Sequence, residues 1–191
     1  MKFKILLGSA LLASSFFASA EVDRMGVFTT FGLGTNLGAK IGVSVDDVDF
    51  SADATGIIST QVKLGYGINS QTLVSIDYDI GLIVDNEVES IFTTNSYTIA
   101  GTYFIQEVTA SPYVLAGVGF TSAKVTDVSS GFESDPITGL SLKIGGGYQF
   151  FDHFQIEAAY LTSKLKDSDF EDVSMSLPSI QIKLQYVSYS Y

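Results

Sequence analysis

The sequence contains no cysteine, no tryptophan and only one histidine among its 191 residues. Without cysteine it can form neither a disulfide framework nor a thiolate metal site, and we predict no metal and no cofactor. Basic residues are also scarce: ten lysines and arginines stand against 21 aspartates and glutamates, and the formal net charge is −11. Because nucleic-acid binding requires a basic face, we expect no nucleic-acid partner.

Long apolar runs are missing as well, once the first twenty residues are set aside. Residues 1–20 resemble a secretory signal peptide, with basic residues at Lys2 and Lys4, a short apolar segment, and a small-x-small cleavage site at Ala18-Ser19-Ala20. The apolar segment is short for the roughly 20 residues of a membrane-spanning helix, which favours cleavage over an uncleaved anchor. We therefore predict a signal peptide over 1–20, export through the general secretory pathway, and one domain over 21–191.

The remaining chain is nevertheless apolar, aromatic and rich in glycine. Hydrophobic residues make up 46% of the sequence and charged residues only 16%, with 18 glycines, 14 phenylalanines and 10 tyrosines. Few soluble domains combine so little charge with so much glycine and aromatic content. No run of about 18 apolar residues follows residue 20, so the sequence predicts no membrane-spanning helix.

The apolar residues recur with a period of two, which is typical of β-strands. Near residue 60, for example, Val62 and Leu64 fall on one face while Gln61 and Lys63 fall on the other. Eight segments of roughly ten residues follow this pattern: 26–34, 57–67, 72–84, 96–105, 112–120, 139–150, 154–162 and 179–191.

The connections between these segments alternate in length. Short turns are predicted over 68–71, 106–111 and 151–153, and longer polar loops roughly over 36–55, 84–94, 126–137 and 166–178. The long loops hold 14 of the 21 carboxylates by count, so one end of the domain should be acidic.

Two kinds of β architecture fit such a pattern, and they differ in which face points outward. A soluble sandwich or lipocalin-like barrel turns its apolar face inward, whereas a membrane barrel turns it to lipid. The polar faces here are rich in glycine, serine and threonine, and the Gly-x-Trp motif of lipocalins is missing, which favours the membrane barrel. An aromatic girdle at one interface is also predicted where strands meet short turns: Tyr66, Tyr103, Phe150, Phe154 and Tyr186, with Tyr189 and Tyr191 beyond them. We predict an all-β, eight-stranded, antiparallel, up-and-down transmembrane barrel.

Two segments of the sequence resemble a known family. The segment SPYVLAGVGF (111–120) is similar to the fifth-strand motif of the OmpA/OprF-like transmembrane domain, the eight-stranded outer-membrane barrel of Gram-negative bacteria. The segment GGGYQFFDHFQIEAAY (145–160) resembles its glycine-rich hairpin. The resemblance implies an outer-membrane location, contact with outer-membrane lipid and lipopolysaccharide, and insertion by the barrel-assembly machinery. Val187, Tyr189 and Tyr191 resemble the C-terminal signal which that machinery reads. The sequence stops at Tyr191, so anchoring through a peptidoglycan-binding domain is not expected.

Six charges are expected to point into the barrel. Three are basic and three are acidic: Lys63, Lys143, Lys183, Asp77, Asp79 and Glu157. Symmetric pairing about the hairpin turns would put Lys63 opposite Asp77 and Glu157 opposite Lys183. Because unpaired buried charge is very unfavourable, this balanced set predicts an ion-pair network that plugs the lumen. The alternative is that some of these charges sit at watery rims of the barrel.

The last strand raises a local problem, because its apolar positions change parity. Ile180 to Tyr186 place apolar residues on one face, whereas Val187 and Tyr189 place them on the other. A one-residue slip would move Lys183 into lipid. This pattern predicts a β-bulge or a strand end near Tyr186–Val187.

These observations predict a structural or surface-interaction protein of the outer membrane, with a role in membrane integrity or adhesion. A small low-conductance channel is the first alternative and a soluble periplasmic binding barrel the second. The acidic loops could bind an extracellular ligand or divalent cations, although DSDFED (167–172) lacks the glycine and distal glutamate of an EF-hand and fits a solvated loop. We predict no enzymatic activity, because the single histidine, His153, falls in a short turn with only Asp152 beside it.

Overall fold

A computed structural model of the chain describes residues 23–37, 39–45, 48–85, 90–127, 134–166 and 173–190. The predicted signal peptide (1–20), Tyr191, the DSDFED segment and nine of the fourteen loop carboxylates lie outside the described residues. Within the described ranges, no helix is long and apolar enough to cross a membrane.

The described chain forms ten strands, all paired antiparallel to their neighbours. In chain order they are β1 (Gly26–Leu37), β2 (Ala39–Val45), β3 (Val48–Gly67), β4 (Thr72–Asp85), β5 (Ser90–Phe104), β6 (Ser111–Asp127), β7 (Ile137–Phe150), β8 (Phe154–Lys166), β9 (Val173–Ser176) and β10 (Ser179–Ser190).

These ten strands occupy eight strand positions around one closed barrel. β3 pairs with β1 and then with β2 in an unchanged register, so β1 and β2 lie end to end in the same strand position. β8 pairs in the same way with β10 and then with β9. The barrel closes because β1 pairs with both β10 and β3. The predicted eight-stranded antiparallel up-and-down barrel is therefore confirmed.

The strands are strongly staggered around the barrel. Following the paired positions from Tyr66 of β3 through each neighbouring strand leads to Leu37 of β1. The register that β3 shares with β1 and β2, extended to Leu37, returns to β3 at Gly56, ten residues from the start. A fixed stagger of this kind tilts the strands, typically by about 35–45°. Eight tilted strands enclose an interior just wide enough for side chains to fill.

The outer face of the barrel is apolar, and the middle part of its inner face is polar. Ile99, Phe120 and Leu140 point outward and are 62%, 63% and 67% exposed. Gln61 and Gln185 point inward and are buried. This arrangement is the reverse of a lipocalin-like barrel, whose apolar residues line the interior, so the soluble binding barrel is wrong. An apolar outer wall of this extent requires a nonaqueous environment.

The predicted long loops are shorter in the structure than in the sequence-based prediction. The segment 36–55 is mostly a hairpin, in which β2 and β3 pair from Ala39 opposite Ala54 to Val45 opposite Val48. Strand structure likewise occupies parts of the other three predicted loops. The prediction was wrong there because apolar alternation marks only the part of a strand that contacts lipid. Backbone pairing can continue beyond that part without an apolar stripe.

The predicted β-bulge or strand end near Tyr186–Val187 is also wrong. β10 pairs with β1 without interruption from Ile180 opposite Leu37 to Ser190 opposite Val27. Gln185, Val187 and Tyr189 all keep the inward parity, and Val187 is fully buried. The apolar group changes face because the lower end of the lumen is itself apolar, and the backbone keeps its register.

The close approach of β5 and β6 at Gly119 gives a test of this packing. A Cβ at Gly119 would overlap the carbonyl oxygen of Tyr97, whereas a Cβ at Gly101 would meet nothing within 4 Å. We expect Gly119→Ala to lower the free energy of unfolding by about 1–3 kcal/mol, as overpacking does. Gly101→Ala should cause no loss, and urea unfolding in lipid vesicles, followed by heat-modifiable gel migration, measures both. An equal loss in the two variants would contradict this account.

Candidate functional site in the barrel lumen

The candidate site is a layer of charged side chains halfway along the lumen. All six predicted charges point inward and are at most 6% exposed. They come from five strands of the barrel: Lys63 on β3, Asp77 and Asp79 on β4, Lys143 on β7, Glu157 on β8 and Lys183 on β10. In this part of each strand the charged residues have the inward parity, so the strand register explains why they point into the lumen.

Lys143 lies at the centre of the layer. Its Nζ is 3.2 Å from Asp77 Oδ2, 3.4 Å from Asp79 Oδ2 and 3.3 Å from Glu157 Oε1. Its side chain is completely buried. One lysine therefore contacts carboxylates from two different strands, β4 and β8.

The other two lysines complete the balance. Lys63 Nζ lies 2.5 Å from Glu157 Oε2 and 3.7 Å from Asp77 Oδ2. Lys183 forms an ion pair with Asp79 and donates a hydrogen bond to Gln181 Oε1 at 2.8 Å. Three lysines and three carboxylates thus form one connected group.

The strand register agrees with the prediction, but one predicted ion pair does not form. Lys63 lies directly opposite Asp77, and Lys183 lies directly opposite Glu157. Lys183 nevertheless pairs with Asp79 on β4, while Glu157 pairs with Lys63 and Lys143. The lumen is narrow enough for a lysine side chain to reach across it, so cross-barrel partners compete with neighbours on the adjacent strand.

Neutral polar groups supply further contacts around the charges. Ser75 Oγ donates to Asp77 Oδ1 at 2.5 Å, and Gln61 Nε2 donates to Asp79 Oδ2 at 3.3 Å. The Tyr113 hydroxyl donates to Glu157 Oε2 at 3.4 Å. Hydrogen bonds of this kind are required when charges are removed from water, since their solvation is lost.

Towards the long-loop end, the layer is followed by hydroxyls and then by apolar side chains. Ser163 Oγ donates to Thr121 Oγ1 at 2.9 Å, and Ser96 Oγ lies 2.8 Å from the same oxygen. A cavity of about 20 Å³ beside them has room for about one water molecule. Beyond it lies an upper apolar cluster made of Ala123, Leu165 and Leu177, with Phe92, Ile137 and Met175 against it.

Towards the short turns, the lumen is filled by a second apolar group. This lower apolar cluster consists of Phe28, Leu73, Phe104, Tyr113, Leu115 and Val187, with Tyr189 against it. A cavity of about 10 Å³ separates it in part from the charged layer. This cluster was not predicted from the sequence, because period-two alternation places apolar residues on the lipid face. The available signal was the inward parity of Leu73, Leu115 and Val187.

Arg24 closes the same end and was also missed. It is fully buried, and its guanidinium lies over the Phe104 ring, 3.9 Å from the centroid. It donates to the main-chain oxygens of Ser70 at 2.9 Å and Val108 at 2.7 Å, and to Gln149 Oε1 at 3.1 Å. Ser70 and Val108 belong to two different short turns, so the hydrogen bonds of Arg24 connect both turns across this end of the barrel. The signal in the sequence was that Arg24 is its only arginine.

The predicted aromatic girdle lies at the short-turn end. Tyr66, Tyr103, Phe154 and Tyr186 point outward and are exposed, while Phe150 is partly buried. The rings of Phe150 and Phe154 stack with centroids 6.2 Å apart, and Tyr186 contacts Phe154 at 5.6 Å. Val187 and Tyr189, which the resemblance predicts as part of an assembly signal, point inward.

His153 has structural contacts in its short turn. Its Nδ1 lies 3.0 Å from the main-chain oxygen of Val187, and its ring is 5.4 Å from that of Tyr186. Among the described residues, no group of three or more His, Cys, Asp or Glu side chains could hold a metal ion.

Comparisons with known proteins agree with this architecture. Residues 8–187 match the family described as outer membrane protein beta-barrel domain. The attachment invasion locus protein Ail of Yersinia pestis is 20% identical, with a TM-score of 0.54 over 86% of this chain and 99% of Ail. Neisserial surface protein A is 18% identical, with a TM-score of 0.50 over 83% of this chain and 96% of its own. No curated protein sequence matches the chain significantly.

The central position of Lys143 leads to a stability prediction. Lys143→Met leaves three buried carboxylates facing two lysines, and breaking a buried ion network in this way costs about 3–5 kcal/mol. The free energy of unfolding, from urea titration in lipid vesicles, should fall by that amount. Ile144→Leu changes the neighbouring outward residue and should have little effect.

A double variant tests whether the charges act as one unit. Lys143→Met combined with Glu157→Gln restores the balance at two lysines and two carboxylates, so we expect part of the lost stability to return. Purely additive losses in the double variant would show that these side chains do not form a coupled network.

Proposed function

This chain belongs to the outer membrane protein beta-barrel family, and on that basis we propose that it is a closed structural barrel which presents an acidic surface outside the cell. The protein is an integral β-barrel of the bacterial outer membrane. The proposal adds to this a plugged lumen, a role in membrane integrity or adhesion, and no catalytic activity.

The packing of side chains along the lumen is the observation that supports the proposed plug most directly. A solute entering from the short-turn end would meet Arg24 and the lower apolar cluster, then the charged layer around Lys143, and then the upper apolar cluster. The cavities beside the charged layer are about 20 and 10 Å³, room for about one water molecule at most in each. Moving an ion through would require displacing a paired charge in a region where unpaired charge is very unfavourable.

The β2–β3 hairpin at the long-loop end of the barrel supports the proposed role at the cell surface. β3 is 20 residues long, whereas a tilted membrane-spanning strand needs roughly 9–11. The hairpin of β2 and β3 therefore extends beyond the lipid-facing wall, and Asp49 and Asp53 of β3 lie opposite Ser44 and Lys40 in it. Carboxylates on a projecting hairpin suit a basic extracellular partner or divalent cations. Ail, which is similar in fold, is named for attachment and invasion.

We also propose that export begins with the signal peptide over 1–20 and that insertion uses the C-terminal residues. Val187 and Tyr189 point into the finished barrel. The barrel-assembly machinery would therefore contact them, together with Tyr191, before β10 pairs with β1. The exposed aromatic residues at the short-turn end, among them Tyr66 and Tyr103, would then rest at the inner interface of the membrane.

Planar-bilayer recording tests the plug directly. We expect the refolded wild type to show no large steady conductance. Lys63→Ala should produce opening events, because it removes a lumen side chain and leaves Glu157 without its 2.5 Å partner. Leu64→Ala alters the neighbouring outward side chain and should behave as the wild type does. Large stable conductance in the wild type, unchanged by Lys63→Ala or Glu157→Ala, would contradict the plug, and small steady conductance in the wild type would favour the low-conductance channel.

Shortening the hairpin tests the surface role separately. Ala39 and Ala54 lie opposite each other, so an Asn-Gly turn can replace residues 40–53. We expect this variant to remain a heat-modifiable barrel but to lose adhesion of displaying cells to polylysine-coated surfaces. Asp49→Asn combined with Asp53→Asn keeps the hairpin and should weaken adhesion in part. Undiminished adhesion in both variants would show that this hairpin does not contribute to the proposed adhesion.

A further inference from the structure

The three residues before β1 lie at the short-turn end of the barrel and form an N-terminal strap, residues 23–25. We propose that this strap is a hinged gate. It is fixed by the Arg24 side chain, turns about Gly26, and swings away from the lumen while the wall of the barrel stays closed. The proposal concerns this end of the lumen alone and does not depend on the charged layer around Lys143.

The strap leaves the barrel wall at Gly26. The φ angle of this residue is 93°, in a region that residues with a side chain rarely adopt. A Cβ at this position would also lie 2.8 Å from the main-chain oxygen of Ser190 on β10. Glycine therefore lets the chain turn from β1 towards the lumen without separating β1 from β10.

One side chain fixes the strap in the lumen. Asp23 and Met25 are exposed, whereas Arg24 between them is completely buried. The main-chain N–H of Met25 donates to Asp23 Oδ1 at 2.9 Å, a local turn within the strap. The pairing of β1 with β3 and β10 begins only after the strap. A short segment held mainly by one buried group is the kind of unit that opens locally, without unfolding of the whole protein.

The Arg24 anchor connects all three short turns. It donates directly to main-chain oxygens in two of them. Its third acceptor is the side chain of Gln149, whose Nε2 donates to the main-chain oxygens of Phe151 at 3.3 Å and Asp152 at 3.1 Å in the third turn. The Tyr189 hydroxyl of β10 donates to Gln149 Oε1 at 3.4 Å. Withdrawal of Arg24 would therefore break the connection among the three turns at one step.

The strap covers the lower apolar cluster. A Cβ at Gly67 would overlap the main-chain oxygen of Arg24 and would lie 3.0 Å from Leu73 Cδ2, so the strap backbone and Leu73 are close neighbours. The Arg24 guanidinium lies over the ring of Phe104, which belongs to the same cluster. Leu73 is 3% exposed and Phe104 is fully buried. Movement of the strap would therefore open the lumen from this end as far as the lower apolar cluster.

Thiol accessibility tests the gate, because the sequence contains no cysteine and a single one can be introduced. The refolded protein carrying Leu73→Cys is treated in detergent micelles with trimethylammonium-ethyl methanethiosulfonate, and mass spectrometry follows the labelling. We expect slow labelling with Arg24 in place. Arg24→Gln should accelerate it at least about tenfold, since loss of one hydrogen bond from a charged donor shifts an opening equilibrium by roughly that factor. Arg24→Lys, whose ammonium lacks the planar fork of donors, should give an intermediate rate.

Ala123→Cys, in the upper apolar cluster, is the matched control at the opposite end of the lumen. Its labelling and the heat-modifiable migration of the protein should not change with Arg24→Gln. An equal acceleration at both cysteines would mean that Arg24 stabilises the whole barrel and is not a gate. Unchanged labelling of Leu73→Cys in the Arg24→Gln protein would show that the strap does not cover the lumen. If Leu73→Cys does not fold, Leu115→Cys, which is also 3% exposed in the same cluster, decides in its place.

Discussion

Backbone hydrogen bonding in hydrocarbon is the constraint on which the rest of this structure depends. A strand that crosses a membrane must pair all its N–H and C=O groups within the protein, since no water is present to receive them. β1 meets this requirement by pairing with both β10 and β3, which leaves the wall without a free edge. Closure then fixes which residues face outward, because neighbouring side chains on each strand point to opposite faces.

Closure also determines the chemistry of the interior. Eight staggered strands leave a lumen of side-chain width, so inward charges meet across it. Lys143 contacts carboxylates on β4 and β8, and Lys183 reaches β4 from β10. The network is therefore a property of the closed barrel and could not form in any single hairpin. The same narrowness lets apolar clusters and Arg24 fill the two ends.

The buried and the exposed lysines lie at different levels along the strands. Those near the middle of the strands point inward and balance carboxylates. Lys164 and Lys166 point outward, but only near the end of β8, where the wall leaves hydrocarbon. Position along the strand thus decides what a lysine on the outer face can do, because an ammonium group is tolerated at the headgroup level and not in the hydrocarbon.

The sequence predicted the features that depend on strand periodicity. Alternation over residues such as Gln61 to Leu64 indicated strands, lipid-facing residues and the inward charges. Hairpin symmetry placed Lys63 opposite Asp77 and Glu157 opposite Lys183, as the structure does. Alternation could not reveal where strands continue past the lipid, so it predicted a loop where the β2–β3 hairpin lies. It also led to a false bulge at Val187, because an apolar residue was assumed to face lipid.

By itself, therefore, the sequence determined the eight strands, their outward faces and the set of six lumen charges, since period-two patterning is local information. Only the tertiary structure decided that Lys183 pairs with Asp79, that Val187 belongs to an internal cluster, and that Arg24 ties two turns together. The physical reason is that these contacts cross the lumen. Their partners are separated by tens of residues or more along the chain and come within reach only when the barrel closes.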